Sequence, residues 1–411
     1  MKTAREAALL ALYEIEYNGA YSNIALKNIL NIKELDERDR AFSTALVYGV
    51  TAHKLTLDYM IEQLSSIKLK KLSRYILLIV RMGLYQIRYM DKVPQSAAVN
   101  ESVRLARRYG HSAAAGYVNG VLRTAARTEP AEPEEAYLRY SFAKKAAEKL
   151  FADYGGRAEN IMRALNQNPE MTVRANRLKT DRSALSKLLG AEICPLAPDA
   201  LYVKRLDAAA SREFAQGLFT VQDAAPMAAC LALSPKKGEL VMDVCAAPGG
   251  KTTYLAELME NCGRIIAFDI HAHRTELIKK NAERLGIDII ETRVHDARIM
   301  TEEFKGKADK VLADVPCSGL GIARRKPELK YKTDFDELPA LQLEILKTSA
   351  EYLKRGGELV YSTCTLYKDE NEQVVERFLK KSPDFELQSM KTLLPDSVDC
   401  DGFFIAKIKR N

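Results

Sequence analysis

The sequence predicts a multi-domain protein: an all-α first module, a small α+β segment, and a C-terminal α/β domain built on a doubly wound parallel sheet. Three observations carry this. Over the first ~125 residues apolar positions recur at helical spacing with no strand pattern between them. An acidic, proline-rich stretch, TEPAEPEEA at 128–136, then interrupts the periodicity. From residue 238 onward, short apolar runs alternate with helical segments, as in a parallel sheet with crossover helices. With 411 residues the chain is long enough for two or three domains, and its 47% hydrophobic and 28% charged residues are ordinary for a globular protein.

Taken in order, residues 4–17 place Ala8, Leu9, Leu12, Tyr13 and Ile15 on one helical face. Residues 72–89 do the same with Tyr75, Leu78, Ile79, Met82, Tyr85 and Tyr89. Pro94 is suited to the first turn of a helix that turns Val99, Val103 and Ala106 inward. That helix carries Arg104, Arg107 and Arg108 as a basic stripe. SAAAGYVNGVLR at 112–123 has small residues that allow close helix packing. The expected divisions are a helical module at 1–128, a linker at 129–139, a helical and α+β segment at 140–225, and the α/β domain at 226–411. Within the third, MTVRANRL and ALYVKR read as strands around a capped helix, DRSALSKLLG, ending at Gly190. In the last, the strands are ELVMDV, RIIAFDI, DIIETRV, DKVLADV and ELVYST, with helices after Lys251, at 273–285 and at 337–354.

Bulk properties exclude several classes. The longest strongly apolar run, YILLIV at 75–80, is far too short to span a bilayer. Arg5 and Glu6 break the first apolar run, so no secretory signal is expected. Seven cysteines, an odd number with no C-x-x-C pair, suggest free thiols and a cytoplasmic location. The five histidines include no H-E-x-x-H, so no metal is expected. Charge is uneven: residues 1–128 hold 19 Lys+Arg against 11 Asp+Glu, a balance of +8 within a total of +7, so the remainder is at −1. A basic module on a near-neutral one suggests delivery of a polyanion to a separate site.

DVCAAPGGKTT at 243–253 follows a strand and opens a helix, and ligands bind beyond the carboxyl ends of such strands. Gly249 and Gly250 let a ligand approach the backbone. Asp269 ends the next strand, where a carboxylate can accept hydrogen bonds from both hydroxyls of a ribose. Asp296, in HDAR, is placed to meet an adenine amino group, and Asp314 ends the fourth strand in LADVPCSG. A phosphate-binding G-x-x-x-x-G-K-[ST] loop fails because Cys245 occupies its first glycine position, and G-x-G-x-x-G is absent. A nucleoside cofactor without a pyrophosphate fits better. S-adenosylmethionine, with its ribose, adenine and positive sulfonium, has that chemistry.

DVCAAPGGKTT, DVPCSGLG and YSTCTL, in that order, resemble the NOL1/NOP2/Sun family of cytosine-5 RNA methyltransferases. QSAAVNESVRLAR and YVNGVLR resemble the NusB fold, and a NusB-like module fused to such a catalytic domain is similar to the bacterial enzymes that methylate 16S ribosomal RNA. The resemblance implies a Rossmann-like methyltransferase domain, S-adenosylmethionine as cofactor and 16S ribosomal RNA as partner, with no membrane or metal; a monomer is the default expectation. It also implies that Cys364 adds to carbon 6 of cytosine, Cys317 assists breakdown of the adduct and Asp314 contacts the base. The cofactor loop carries over as Cys245, Ala246, Ala247, Pro248, Gly249, Gly250 and Lys251, with Asp269, Asp296 and Asp314.

The chemistry explains two thiols. Carbon 5 of cytosine becomes nucleophilic only after something adds to carbon 6, and a second group near carbon 5 assists proton loss. A free cysteine is only a few per cent thiolate near neutrality, and Lys251 or a nearby arginine is a candidate to raise that fraction. DNA enzymes of similar chemistry use a P-C cysteine as nucleophile, so the reverse assignment stays open. A transfer RNA substrate also stays open, as does a non-enzymatic RNA-binding or antitermination factor. Cys194, Cys230, Cys262 and Cys400 read as structural, and Tyr331 stands where relatives often carry tryptophan. The target base must be unpaired or swung out. The basic run RRKPELKYK at 324–332, with Arg324, Arg325 and Lys326, is a candidate phosphate grip, and Arg104, Arg107 and Arg108 a second RNA-binding face.

Overall fold

The computed structural model describes residues 3–32, 35–204, 206–208 and 210–411. They form two compact units. The first runs to Asn166 and takes in Arg325–Thr333; the second comprises Gln167–Arg324 and Asp334–Asn411.

In the first unit the initial 127 residues fold into helices Ala4–Asn18, Ser22–Ile32, Glu37–Ala52, Lys54–Leu64, Arg74–Tyr89, Gln95–Tyr109 and Ser112–Arg127. Polar caps set their starts. Thr3, Asp36 and Ser73 accept hydrogen bonds from backbone N–H groups of the first turn. Pro94 sits at the N-cap rather than inside the helix it was expected to open. Leu9, Leu12, Leu46, Ile79, Val99, Ala106 and Leu122 meet in one core, so the apolar stripes legible in the sequence do converge. The acidic stretch after it is tied to this unit, because Gln63 and Ala131 exchange two hydrogen bonds of 2.9 and 3.1 Å. Short helices at Ala136–Arg139, Lys144–Tyr154 and Ala158–Ala164 complete the unit.

His53 is partly buried in this unit, stacked on Tyr89 with ring centroids 4.5 Å apart. Burial, with a smaller contribution from Lys330, pushes its pKa down to about 4. The folded state therefore holds His53 neutral while the unfolded chain, with a value near 6.5, binds a proton. Stability present above about pH 6.5 is lost as pH falls toward 4, by about 3 kcal/mol over that window. Thermal unfolding followed between pH 7 and 4.5 should show this loss, and His53→Gln should flatten it.

The second unit contains two sheets. Strands β1 (Met171–Ala175), β2 (Glu192–Ile193), β3 (Ala200–Val203) and β4 (Phe219–Val221) form an antiparallel sheet in the order β2-β3-β1-β4. The helix Arg182–Leu189 covers it and ends at Gly190, whose φ of 59° is the left-handed cap anticipated from the sequence. The larger sheet contains β5 (Leu240–Asp243), β6 (Arg264–Asp269), β7 (Ile290–Val294), β8 (Ala308–Asp314), β9 (Leu353–Thr363), β10 (Phe385–Leu393) and β11 (Phe403–Arg410). Its order is β10-β11-β9-β8-β5-β6-β7.

Strands β5 to β9 are parallel, as expected, but the sheet is mixed. β11 runs antiparallel to β9, and β10 antiparallel to β11. The physical reason lies in the connections. Residues 394–402 join β10 to β11 too directly for the crossover a parallel pair needs. β10 also has a largely exposed face, so its alternation is weak in the sequence. Apolar layers pack on both faces of the sheet, one around Leu255, Leu312 and Ile405, the other around Phe268, Leu346 and Tyr361. The carboxyl ends of β5, β6, β8 and β9 carry Asp243, Asp269, Asp314 and Thr363.

Candidate functional site

The turn after β5 is held from several sides. Ala246 N–H donates to the Phe268 carbonyl at 2.8 Å, and the turn closes through Gly249 N–H to the Ala246 carbonyl at 2.8 Å. Arg274 donates to the Ala247 carbonyl at 3.0 Å, Asn281 to Pro248 at 3.0 Å and Arg174 to Gly250 at 2.7 Å. Thr252 donates to Asp243 at 2.7 Å, and burial pushes that carboxyl up to about 7. Gly249 has φ +100°, and a Cβ there would come within 3.2 Å of the Ile278 backbone, so both conformation and space call for glycine. Arg174 is a participant the sequence reading missed. It is fully buried in β1, paired with Glu257 at 2.6 Å, and it resembled any arginine of an alternating strand.

Asp269 is 5% exposed; it accepts the His271 N–H at 3.0 Å and pairs with Arg274 at 3.3 Å. Asp296 is engaged by Arg298, whose hydrogen bond lowers its pKa. Cys245 is half-buried, and burial pushes its thiol well above the usual range.

The central feature lies on β8 and β9. Their register pairs Asp314 with Ser362, so the turns that follow run side by side. Asp314 accepts from Ser362 Oγ at 2.8 Å and from Lys251 Nζ at 2.6 Å. Burial opposes charge on Lys251, but contact with Asp314 outweighs it, and nearby Cys230 and Cys364 add in the same direction, so the ammonium is stabilised. Beyond this pair, Cys317 Sγ and Cys364 Sγ lie 3.3 Å apart, both as free thiols. The hydrogen bond with Cys364, then burial, pushes Cys317 well above the usual thiol range. Both sulfurs stand at the same sheet edge as the glycine turn.

Other expected residues fall elsewhere. Arg324 is not exposed as a phosphate grip would need: its side chain is 2% exposed, and its guanidinium pairs with Asp399 at 2.8 Å and lies 3.9 Å from Asp401. Lys326 and Lys332 lie over the Tyr21 ring at 4.7 and 5.4 Å, and Lys330 is fully buried. Glu328 accepts from Ser22 N–H and Oγ, Tyr331 donates to the Thr51 carbonyl at 2.7 Å, and Arg325 is only partly exposed. The run 325–333 therefore packs into the helical unit instead of forming an open basic loop. Arg104, Arg107 and Arg108 are exposed on their helix, with Arg104 paired to Glu101 and Arg108 to buried Glu6. Cys194, Cys230 and Cys400 are buried, whereas Cys262 is exposed because it lies in the turn before β6. Among the described residues no group of three or more His, Cys, Asp or Glu could hold a metal ion, and no helix is long and apolar enough to cross a membrane.

This fold and site define a Rossmann-like methyltransferase domain combined with a NusB-type helical module. Comparison with known proteins agrees. Residues 230–409 match the family described as 16S rRNA methyltransferase RsmB/F, residues 2–127 match the NusB family, and residues 146–208 match the RsmF/B-like ferredoxin-like domain. The probable ribosomal RNA small subunit methyltransferase B of Bacillus subtilis is 37% identical over 99% of each chain. The enzyme of that name from Klebsiella pneumoniae (strain 342) is 34% identical over 92% of this chain and 91% of its own. Among solved structures, that of PH0851 has a TM-score of 0.84 at 27% identity, covering 99% of this chain and 98% of that one. A methyltransferase homolog from Pyrococcus horikoshii has a TM-score of 0.61 at 32% identity, covering 67% of this chain and 98% of its own. The chain belongs to the ribosomal RNA small subunit methyltransferase B family, and it is an rRNA methyltransferase.

Proposed function

We propose that this chain methylates carbon 5 of a cytosine in 16S ribosomal RNA, with S-adenosylmethionine as donor and a covalent bond from Cys364 to carbon 6. The observation that carries this reading is the 3.3 Å approach of two free thiols at the strand ends beside the glycine turn. The residues around the turn fit the cofactor's chemistry. They offer carboxylates, Asp269 and Asp296, for neutral hydroxyl and amino groups, and a glycine backbone with no side chain in the way. The residues that would hold the cofactor are those of the 245–251 turn with Asp269, Asp296 and Asp314. When bound, S-adenosylmethionine supplies a methyl group on a positive sulfur.

Cys364 loses its proton and adds to carbon 6, which leaves carbon 5 electron-rich. The Lys251 ammonium interacts with Asp314 and, more weakly, with Cys364. Asp314, between Lys251 and Ser362, is positioned to meet the polar edge of the base as charge develops there. After carbon 5 has gained its methyl group, Cys317 assists transfer of the carbon 5 proton to water. The electrons of that C–H bond restore the ring double bond, the carbon 6–sulfur bond breaks, and Cys364 leaves as thiolate. The exposed Arg104, Arg107 and Arg108 stripe is proposed to hold flanking RNA phosphates.

Replacing Cys317 by alanine should leave adduct formation intact and slow its release. The expected result is a slow-migrating protein–RNA band on a denaturing gel after incubation with 16S ribosomal RNA and cofactor. Accumulation in Cys364→Ala instead would exchange the two roles, and label only on transfer RNA would replace the substrate.

A further inference from the structure

The β8–β9 ladder fixes the two strands only as far as Asp314 and Ser362, yet the sulfurs of Cys317 and Cys364 lie three and two residues beyond, respectively. Their spacing is set by side chains. Gln342 Nε2 donates to the Pro316 carbonyl at 2.9 Å, just before Cys317, and to Glu370 Oε2 at 2.8 Å. Glu370 Oε2 also accepts the N–H of Ser318 at 2.9 Å, just after Cys317. The next residue does the same for the other turn. Asn371 Oδ1 accepts from Thr363 Oγ1 at 2.5 Å, and its Nδ2 donates to the Thr365 carbonyl at 3.1 Å, so both neighbours of Cys364 are held. Ser318 and Thr365 hydroxyls meet at 2.6 Å and join the two turns. Tyr361 of β9 donates to the Glu370 carbonyl at 2.6 Å and anchors the pair to the sheet.

We infer that Glu370 and Asn371 are a clamp of positioning residues, each holding one of the two sulfur-bearing turns; this rests on the cysteine roles proposed above. Both residues are 0% exposed, although D-E-N-E at 369–372 reads as a solvated surface run. Burying a carboxyl is costly unless it is hydrogen-bonded, and Glu370 Oε2 is held by Ser318 and Gln342. Burial raises the pKa of Glu370, and its Oε1 has no hydrogen-bond partner among the described residues. A neutral amide in its place keeps the acceptor that Ser318 needs. Because the two residues are adjacent in the chain, a shift in one turn is passed directly to the other.

The clamp predicts a split that general loss of folding would not produce. Glu370→Ala should form the RNA adduct at near-normal rate but release it about tenfold or more slowly, as a misplaced group loses effective molarity. Glu370→Gln should restore release. Asn371→Ala should lower adduct formation by about tenfold with cofactor affinity unchanged. Each variant is assayed as full chain with labelled cofactor and 16S ribosomal RNA, measuring band formation and decay separately. If Glu370→Ala does not fold, Gln342→Ala removes the second holder of the same turn and is expected to slow release too. Wild-type kinetics in Glu370→Ala or Asn371→Ala would overturn the clamp, as would an equal loss in both steps. Slow release in Glu370→Gln would assign the residue to proton transfer rather than positioning. Cys317→Ala serves as control: if it fails to accumulate adduct, the cysteine roles are wrong; if it accumulates adduct and the clamp variants do not respond, only the clamp is.

Discussion

Cys364→Ala is expected to abolish methyl transfer, with a loss of at least about 10⁴-fold, and to give no covalent protein–RNA band. The expectation follows from where this sulfur sits. It directly follows β9, the strand beside β8, 3.3 Å from Cys317, with the Lys251 ammonium near enough that charge on Cys364 stabilises it. Alanine removes the sulfur proposed to add to carbon 6 while leaving the turn's backbone bonds in place. Gly321 N–H still reaches the residue 364 carbonyl at 2.9 Å, and Asn371 still holds both neighbours. Folding and cofactor affinity should therefore be close to wild type, and thermal unfolding with equilibrium cofactor binding would check both. Residual activity within a factor of ten would show that another group performs the addition.

The second large effect concerns stability. Lys330→Ala should destabilise the helical unit by about 3–4 kcal/mol and lower its melting temperature by roughly 10 °C. Lys330 is 0% exposed, and burial holds its pKa well below the usual ammonium range. Its Nζ donates to the Ala52 carbonyl at 2.6 Å, Asn166 Oδ1 at 2.6 Å and, more weakly, the Tyr140 carbonyl at 3.2 Å. It also lies 4.7 Å from the Phe142 ring centroid. Truncation removes one donor from acceptors of three segments, although the Tyr140 and Ala52 carbonyls keep Asn166 Nδ2 and Tyr331 Oη, and opens a cavity along the lost stem. Lys330→Met, which fills the stem but donates nothing, should recover the cavity part only. Differential scanning calorimetry of the full chain would measure the shift. A melting temperature unchanged in Lys330→Ala would show that this lysine does not hold the segment.

Lys330 also shows how far the sequence could be read. Periodicities dictated by burial were legible: the apolar stripes of the first helices, the alternation after residue 238, and the glycine turn that Gly249 requires at φ +100°. The same holds for carboxylates ending β6 and β8, because a strand terminus can be read from one segment alone. Residues whose partners come from distant segments were not legible. Arg324, Lys330, Glu370 and Arg174 are charged types that normally face water, and nothing local distinguishes them from solvated neighbours. Each is buried because another part of the chain supplies its counter-group: Asp399 and Asp401 for Arg324, three acceptors for Lys330, Ser318 and Gln342 for Glu370, Glu257 for Arg174.

By itself, then, the sequence determined the helical first module, the five parallel strands and which residue types stand at their ends, since these follow from local spacing. Only the tertiary structure decided that β8 and β9 lie in register to bring Cys317 within 3.3 Å of Cys364, and that a lysine beside the P-C turn folds into the helical unit. Register and burial of charge depend on which distant groups meet, and that is a property of the packed chain rather than of any stretch of it.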